Sequence, residues 1–120
     1  MTEQNRKVKI LGTTWEIIFR DKDISFKENY GYTNEISKQI VIQKISTIAD
    51  SSSLAYNEDE HKLNQERIVR HEVIHAYLFE CGLAESASQP DSWALNEEMV
   101  DWFARLGPKI YKTWEELNCI

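Results

Sequence analysis

One stretch of this chain combines a helical pattern with a clear end point, and it limits the fold more than any other. From about Leu63 to Cys81, apolar residues recur at helical spacing, and Gly82 follows where a helix commonly ends. Within this stretch the letters RHEVIHAY place His71 and His75 four positions apart. Residues four apart share one face of a helix. The other elements must therefore pack around a long helix that presents two imidazoles together.

The first third of the chain has the composition of a small sheet. β-Branched and aromatic residues form two short runs, Val8–Leu11 and Trp15–Arg20, separated around Gly12, which predicts a hairpin. A turn near Asn34–Lys38 leads into an apolar strand, Gln39–Gln43. We therefore predict a mostly antiparallel sheet of three to four strands.

The rest of the chain predicts helices joined by short connections. A polar stretch, Ser46–Lys62, is interpreted as a loop followed by the start of the first helix. A second helix is predicted at roughly Trp93–Leu106, with its cap within Asp91-Ser92. Gly107-Pro108 is expected to break this helix and leave a short last one, Lys109–Leu117. Strands first and helices after indicate an α+β fold, with helices on one face of the sheet.

The bulk composition suits one domain over residues 1–120. Of the 120 residues, 42% are hydrophobic and 28% charged, and the net charge of −6 comes without any basic stripe. Binding to nucleic acid or to an anionic membrane surface is therefore not expected. No apolar run approaches the ~18 residues of a membrane span, and no signal peptide is recognisable. We expect a monomeric cytoplasmic protein in which Cys81 and Cys119 are free thiols.

The letters H-E-x-x-H describe part of a metal site with its own base. His71 and His75 can direct two ring nitrogens at one ion, while Glu72 lies about 100° round the helix, within reach of a water on that ion. This pattern predicts a single zinc ion with Glu72 as general base. A catalytic zinc site usually takes three protein ligands, so a third has to come from a neighbouring element.

Residues 96–101 read NEEMVD and offer the missing ligand. Glu97 and Asp101 are four apart, and 22 residues separate Glu97 from His75, enough to finish one helix and return along it. Asp101 is then the candidate to hydrogen-bond the distal nitrogen of a ligating histidine. Glu98 flanks the apolar stripe of the second helix more closely than Glu97. Helical periodicity alone leaves both glutamates open as the third ligand.

The motif and its spacing resemble the gluzincin metallopeptidases. In addition, EEMVDWFA resembles the E-x-x-A-N-x-F-A segment of the ImmA/IrrE-type peptidases of phages and mobile elements, with Val100 and Asp101 replacing the alanine and asparagine. The segment GYTNEISKQIVI resembles the strand that borders the cleft in small phage-type members. This resemblance implies a minimal zincin-like fold, favours Glu97 over Glu98, and implies a cytoplasmic enzyme, in the host cell if phage-encoded.

The resemblance implies a zinc metalloendopeptidase acting on a peptide or protein substrate. An extended substrate is expected to add to a sheet edge formed by Gln39–Gln43. Tyr30, Tyr77 and Tyr111 are candidates by type for the group that stabilises the oxyanion. Two alternatives are a regulatory protein with a structural or weakly active zinc site, and a peptidase whose cleft is occupied by its own C-terminal tail, PKIYKTWEELNCI, or by its N-terminal segment.

Overall fold

Four strands and two long helices make up the part of the chain that the computed structural model describes, residues 2–47 and 57–120. The order across the sheet is β1-β2-β4-β3. Pairs β1–β2 and β3–β4 are antiparallel, whereas β2 and β4 are parallel. The α+β class is confirmed, and the sheet is mixed. The elements are β1 (Arg6–Ile10), β2 (Thr13–Arg20), β3 (Gly31–Asn34), β4 (Gln39–Gln43), α1 (Glu58–Glu80) and α2 (Glu97–Glu116).

The predicted N-terminal hairpin is confirmed, but its strands are longer than expected. Leu11 and Gly12 alone form the turn, with φ values of 49° and 87°. Two successive residues at positive φ are the signature of the tight turn that matches the twist of paired strands. Thr13, which lies outside both runs predicted from the sequence, therefore pairs with Ile10 as the first residue of β2.

Strand β4 lies inside the sheet, so the expectation that it forms an edge is wrong. Ile40, Val41 and Ile42 are each at most 1% exposed. A continuous apolar run of this kind is buried on both faces, as in strands that have a neighbour on each side. The outer strand next to it is β3, which comes before β4 in the chain and pairs with it in antiparallel fashion.

Helix α1 starts five residues before the predicted Leu63 and stops where expected. Its N-cap is Asn57, whose side chain accepts a hydrogen bond from the backbone N–H of Glu60. The first turn carries three acidic residues, which the positive end of the helix dipole favours. Gly82, at φ 86°, ends the helix. The predicted loop before α1 falls largely on residues 48–56, which lie outside the described residues.

The last turn of α1 is tied to the hairpin by one carboxylate. Glu80 accepts hydrogen bonds from Thr13 Oγ1 at 2.9 Å and from Trp15 Nε1 at 2.8 Å. Lys38 Nζ lies 3.1 Å from the same carboxylate. The hydrogen bond from Lys38, followed by those of the indole and the hydroxyl, holds the pKa of Glu80 below its usual value against a smaller effect of burial. The helix is thereby fixed across the sheet at its carboxyl end.

Helix α2 begins later than predicted and has a different cap. Residues Trp93–Leu95 form a single 3₁₀ turn, and Ser92 makes no side-chain cap hydrogen bond. Asn96 is the cap of α2, since its side chain accepts from the backbone N–H of Met99 at 2.8 Å. An asparagine cap is as effective as the expected aspartate or serine. Glu97 is consequently the first residue of the helix.

The predicted helix break at Gly107-Pro108 is wrong, because α2 runs through it. Proline has no N–H to donate to the carbonyl four residues earlier, which here belongs to the buried Ala104. Arg70 of α1 supplies the missing donor: its Nε lies 2.7 Å from the Ala104 oxygen. A side chain from the neighbouring helix therefore compensates for the proline.

Contrary to the prediction from the sequence, the helices do not all lie on one face of the sheet. Helix α1 packs on the sheet, and α2 packs mainly on α1. The core between α1 and the sheet contains Trp15, Phe19 and Ile40 from the strands, with Ile68 and Ala76 from the helix. Within the described ranges no helix has the length and apolar character to span a bilayer. Cys81 and Cys119 are free and exposed, as predicted.

The compensation at Pro108 can be measured with a double-mutant cycle. Arg70→Met should cost about 1–3 kcal/mol of unfolding free energy, because it leaves the buried Ala104 carbonyl without a donor. In a Pro108→Ala background the alanine N–H provides that donor, so the same substitution should cost much less. Urea unfolding followed by circular dichroism gives both differences. Lys62→Met, which removes an exposed cation of α1, is the control and should change stability by less than about 0.5 kcal/mol. Equal costs of Arg70→Met in the two backgrounds would refute the compensation.

Candidate metal centre

Three side chains from the two helices converge on one point. His71 Nε2 and His75 Nε2 lie 3.2 Å apart, and the Glu97 carboxylate lies 2.9 Å from the first and 3.0 Å from the second. Within residues 2–47 and 57–120, this is the group whose arrangement could hold a metal ion. The structure therefore brings together the two histidines of the motif and the glutamate 22 residues further on.

The spacing of these atoms fits a tetrahedral zinc ion. Ligand atoms about 2.0–2.1 Å from zinc, at tetrahedral angles, lie about 3.3 Å from one another. With Glu97 Oε2 as the ligand atom, the three observed separations are close to this value: 2.9 Å to His71 Nε2, 3.3 Å to His75 Nε2, and 3.2 Å between the two imidazole nitrogens. Two imidazole nitrogens and a carboxylate are also a donor set that zinc commonly accepts. The residues present thus fit the predicted ion in both chemistry and spacing.

Of the two glutamates left open by the sequence, Glu97 is the one at this point. It occupies the first turn of α2, and its carboxylate reaches both imidazoles. Glu98 is exposed and is not part of the group. The Glu97 side chain is 70% exposed, whereas those of His71 and His75 are 15% and 11% exposed. One side of the group is therefore open to solvent.

Asp101 lies beside His71, but its main partners are two arginines. Its Oδ1 is 3.5 Å from His71 Nδ1, on the ring edge opposite the metal group. The same carboxylate accepts hydrogen bonds from Arg67 at 2.6 Å and Arg105 at 2.8 Å. These arginines, the bond from Arg105 above all, hold the pKa of Asp101 below its usual value. Asp101 thus lies next to His71 and joins α1 to α2, but its hydrogen bonds come from the two arginines and not from the histidine ring.

Glu72 lines the same cleft and is held there by a residue that sequence analysis missed. Thr33 Oγ1 lies 2.9 Å from Glu72 Oε1 and 3.0 Å from the Glu72 backbone oxygen. Burial raises the pKa of Glu72, while the hydrogen bond from Thr33 and the nearby His75 oppose that shift. No motif in the sequence pointed to Thr33, because its partner is 39 residues away. Strand alternation could have shown only that Thr33 shares a face of β3 with Gly31.

The approach of α1 to β3 depends on Gly31. A Cβ atom at this position would lie 2.9 Å from Ile68 Cγ2 and 3.1 Å from Ile42 Cδ1, which is closer than side chains normally pack. Glycine therefore allows α1 to rest on β3, with Ile68 over the strand and Glu72 one turn further along. Thr33 then reaches the Glu72 carboxylate directly.

The cleft has a volume of about 600 Å³ and is walled by β3, α1 and the start of α2. Of the three tyrosines considered for the oxyanion, only Tyr30 lines it; Tyr77 and Tyr111 lie along a separate apolar groove. The tail proposed for self-inhibition also contributes to that groove, through Pro108, Ile110 and Trp114. Among the described residues, none of those that line the cleft comes after Asp101 in the chain, so the tail is not part of the cleft wall.

Comparisons with known proteins add no further identification. No family model, no curated protein and no solved structure matches this chain. The metal centre therefore has to be interpreted from its own residues and distances.

Zinc binding should depend on Glu97 and not on its neighbour. We expect one zinc ion per chain in calorimetric titration, and a gain of about 2.7 kcal/mol in unfolding free energy at 100 times the dissociation constant. Glu97→Gln should weaken binding by more than tenfold, since removing even a supporting group costs about 10–100-fold. Glu98→Gln makes the same chemical change one residue along and should leave affinity unaltered. Equal losses for the two variants would contradict the assignment.

Proposed function

We propose that this protein is a zinc-dependent peptidase that cleaves a peptide bond in a protein substrate. The observation that carries the proposal is the convergence of His71, His75 and Glu97 at 2.9–3.2 Å, in a cleft that Glu72 also lines. Two histidines and a glutamate with an open side are a ligand set typical of catalytic zinc. A zinc ion bound there would supply Lewis acidity, which lowers the pKa of water and polarises a carbonyl.

In this proposal, Glu72 carries out the proton transfers. Its carboxylate takes a proton from the attacking water and later passes it to the nitrogen of the departing amine. Thr33 keeps the carboxylate aimed into the cleft, because a hydroxyl that donates to one oxygen limits rotation of the group. Tyr30 stands in the cleft wall as the candidate among the tyrosines for stabilising the oxyanion.

The outer edge of β3, which pairs with β4 alone among the described strands, supports the binding of an extended substrate. Tyr30 O accepts a hydrogen bond from Gln43 N at 2.9 Å, so the backbone at Tyr30 faces β4. By the alternation of an antiparallel pair, the N–H and C=O groups of Gly31 and Thr33 then point away from the sheet. A substrate strand pairing with them would lie along the cleft, in place of the Gln39–Gln43 edge expected from the sequence.

The arrangement favours catalysis over a purely structural zinc site. Structural sites are usually closed by four protein ligands, whereas catalytic ones leave a position free. Among the described residues the group contains three ligands, and its glutamate is mostly exposed. A regulatory protein with a structural zinc site remains the second candidate, and it predicts that chelation unfolds the chain while no peptide is cut.

Glu72→Gln is the direct test of the proposal. The amide cannot accept the proton, so cleavage should fall by about 10²–10⁴-fold while bound zinc stays at one per chain. Cleavage is followed by mass spectrometry on a library of unstructured peptides, and zinc by elemental analysis. Full activity in the variant would eliminate Glu72 as the base. A wild-type chain that binds zinc but cuts nothing in the library would favour the structural alternative.

Thr33→Val should lower kcat, because the Glu72 carboxylate loses the hydrogen bond that positions it, and it should leave the affinity for zinc unchanged. Loss of a hydrogen bond to a charged group, about 1.5–3 kcal/mol, predicts a fall in kcat of roughly 10–100-fold with KM little changed. Thr33→Ser keeps the hydroxyl and should restore most of the rate. Thr13→Val is a matched control, because Thr13 also donates to a glutamate of α1, Glu80, but outside the cleft. It should reduce stability and leave kcat unchanged. Similar kcat values for Thr33→Val and wild type would remove Thr33 from the proposed machinery.

A further inference from the structure

The two ends of the cleft differ in chemistry. Gly31 of β3 lies against Ile68 of α1, and Thr33 contacts Glu72, so the strand and the helix run in the same direction along the cleft. Polar side chains line the end where both elements approach the metal centre, whereas the end beyond His75 is apolar. The lining residues are Asn29, Tyr30 and Arg67 at the first end, and Phe79 and Leu95 at the second.

Phe79 and Leu95 form a wall with a packed core behind it. Both side chains are partly buried, and both pack against one apolar cluster that contains Leu78 of α1 and Val100 of α2. A close-packed cluster leaves such side chains little room to withdraw. The exposed part of the wall therefore remains available to an apolar group that enters the cleft.

The elements that hold the metal ligands also position this wall. Phe79 follows His75 by four residues, so it lies on the same face of α1, about 6 Å further along the helix. Leu95 precedes Glu97 by two residues and ends the 3₁₀ turn, where its N–H donates to the Ser92 carbonyl oxygen at 2.8 Å. The wall is therefore at a short and fixed distance from the three ligands.

An extended substrate would bring a side chain to this wall. A strand that pairs with the outer edge of β3 advances about 3.3 Å per residue, and every second side chain faces α1. The helical distance of about 6 Å from His75 to Phe79 corresponds to about two such residues. The side chain that meets the wall thus belongs to a residue within two positions of the bond at the metal centre.

We propose that Phe79 and Leu95 form a subsite that selects protein substrates with an apolar side chain within two residues of the cleaved bond. This inference rests on the proposed peptidase function and names residues that determine which bond is cut. An apolar side chain on the wall removes apolar surface from water on both partners. A polar or charged side chain would lose its hydration there without gaining a hydrogen bond.

The cleavage profile of a peptide library tests the subsite. The zinc-loaded wild-type chain is incubated with unstructured peptides, and mass spectrometry gives the residues around each cut. Leucine, methionine and phenylalanine should exceed serine about tenfold or more at one position within two residues of the bond. Leu95→Lys should abolish this preference and favour glutamate there, because it places a cation on the wall. Trp93→Lys is the matched control, since Trp93 belongs to the same 3₁₀ turn but lines the separate apolar groove.

Phe79→Ala provides a second arm that adds no charge. It should lower kcat/KM about tenfold for a peptide with leucine at the selected position, and much less for the same peptide with serine there. Tyr77→Ala is its control, because Tyr77 is exposed on α1 and lines the separate groove. A purely structural role of Phe79 would lower stability and leave the ratio of the two kcat/KM values unchanged. Circular dichroism shows that each variant is folded.

The outcomes distinguish this inference from the proposed function. Cleavage without an apolar preference within two residues of the bond, or a preference that folded Leu95→Lys retains, overturns the subsite and leaves the peptidase. If no peptide is cut, the wild-type chain is titrated calorimetrically with glycine–alanine hexapeptides that contain one leucine or one serine. Tighter binding of the leucine peptides, lost in Leu95→Lys, would keep the subsite and reject the peptidase. Equal or undetectable binding of the two sets overturns both.

Discussion

The close contact between α1 and β3 determines the geometry of everything around the metal centre. It exists because Gly31 has no side chain where Ile68 rests on the strand. A methyl group there would lie 2.9 Å from Ile68 Cγ2, so the Ile68 side chain or α1 itself would have to shift, and a shift of α1 would move Glu72 away from the Thr33 hydroxyl. The two histidines would shift with it, since they lie on the same rigid helix. A backbone contact in the core thus sets distances in the cleft.

The second helix is positioned by polar contacts in addition to the apolar cluster that joins Val100 of α2 to Leu78 of α1. Arg67 binds Asp101, and Arg70 donates to the Ala104 carbonyl that Pro108 leaves without its usual partner. Both arginines belong to α1 and lie within one helical turn of His71. They hold α2 at the angle from which Glu97 reaches the two imidazoles. The carbonyl that Pro108 leaves without its usual donor is therefore one of the points at which α1 holds α2 and, with it, Glu97.

The sequence predicts those features that depend on local pattern. The hairpin, the end of α1 at Gly82 and the common face of His71 and His75 follow from periodicity and turn residues. The interior position of β4, the continuity of α2 through Pro108 and the role of Thr33 do not, because each depends on a partner far along the chain. Helical periodicity alone could not separate Glu97 from Glu98, whereas the structure places Glu97 with the two histidines. Local physics thus gives the elements and half of the site, and tertiary contacts give the rest.

The location of Glu97 in the first turn of α2 has a kinetic consequence. Helix ends open at a much lower free-energy cost than the core does. Brief fraying of this turn, limited by the Asn96 cap, would withdraw the carboxylate while both histidines stay in place on the middle of α1. A metal ion bound by His71, His75 and Glu97 would lose one of its protein ligands during such an opening, without unfolding of the domain. The strength of a single helix cap would then contribute to how long such an ion stays bound.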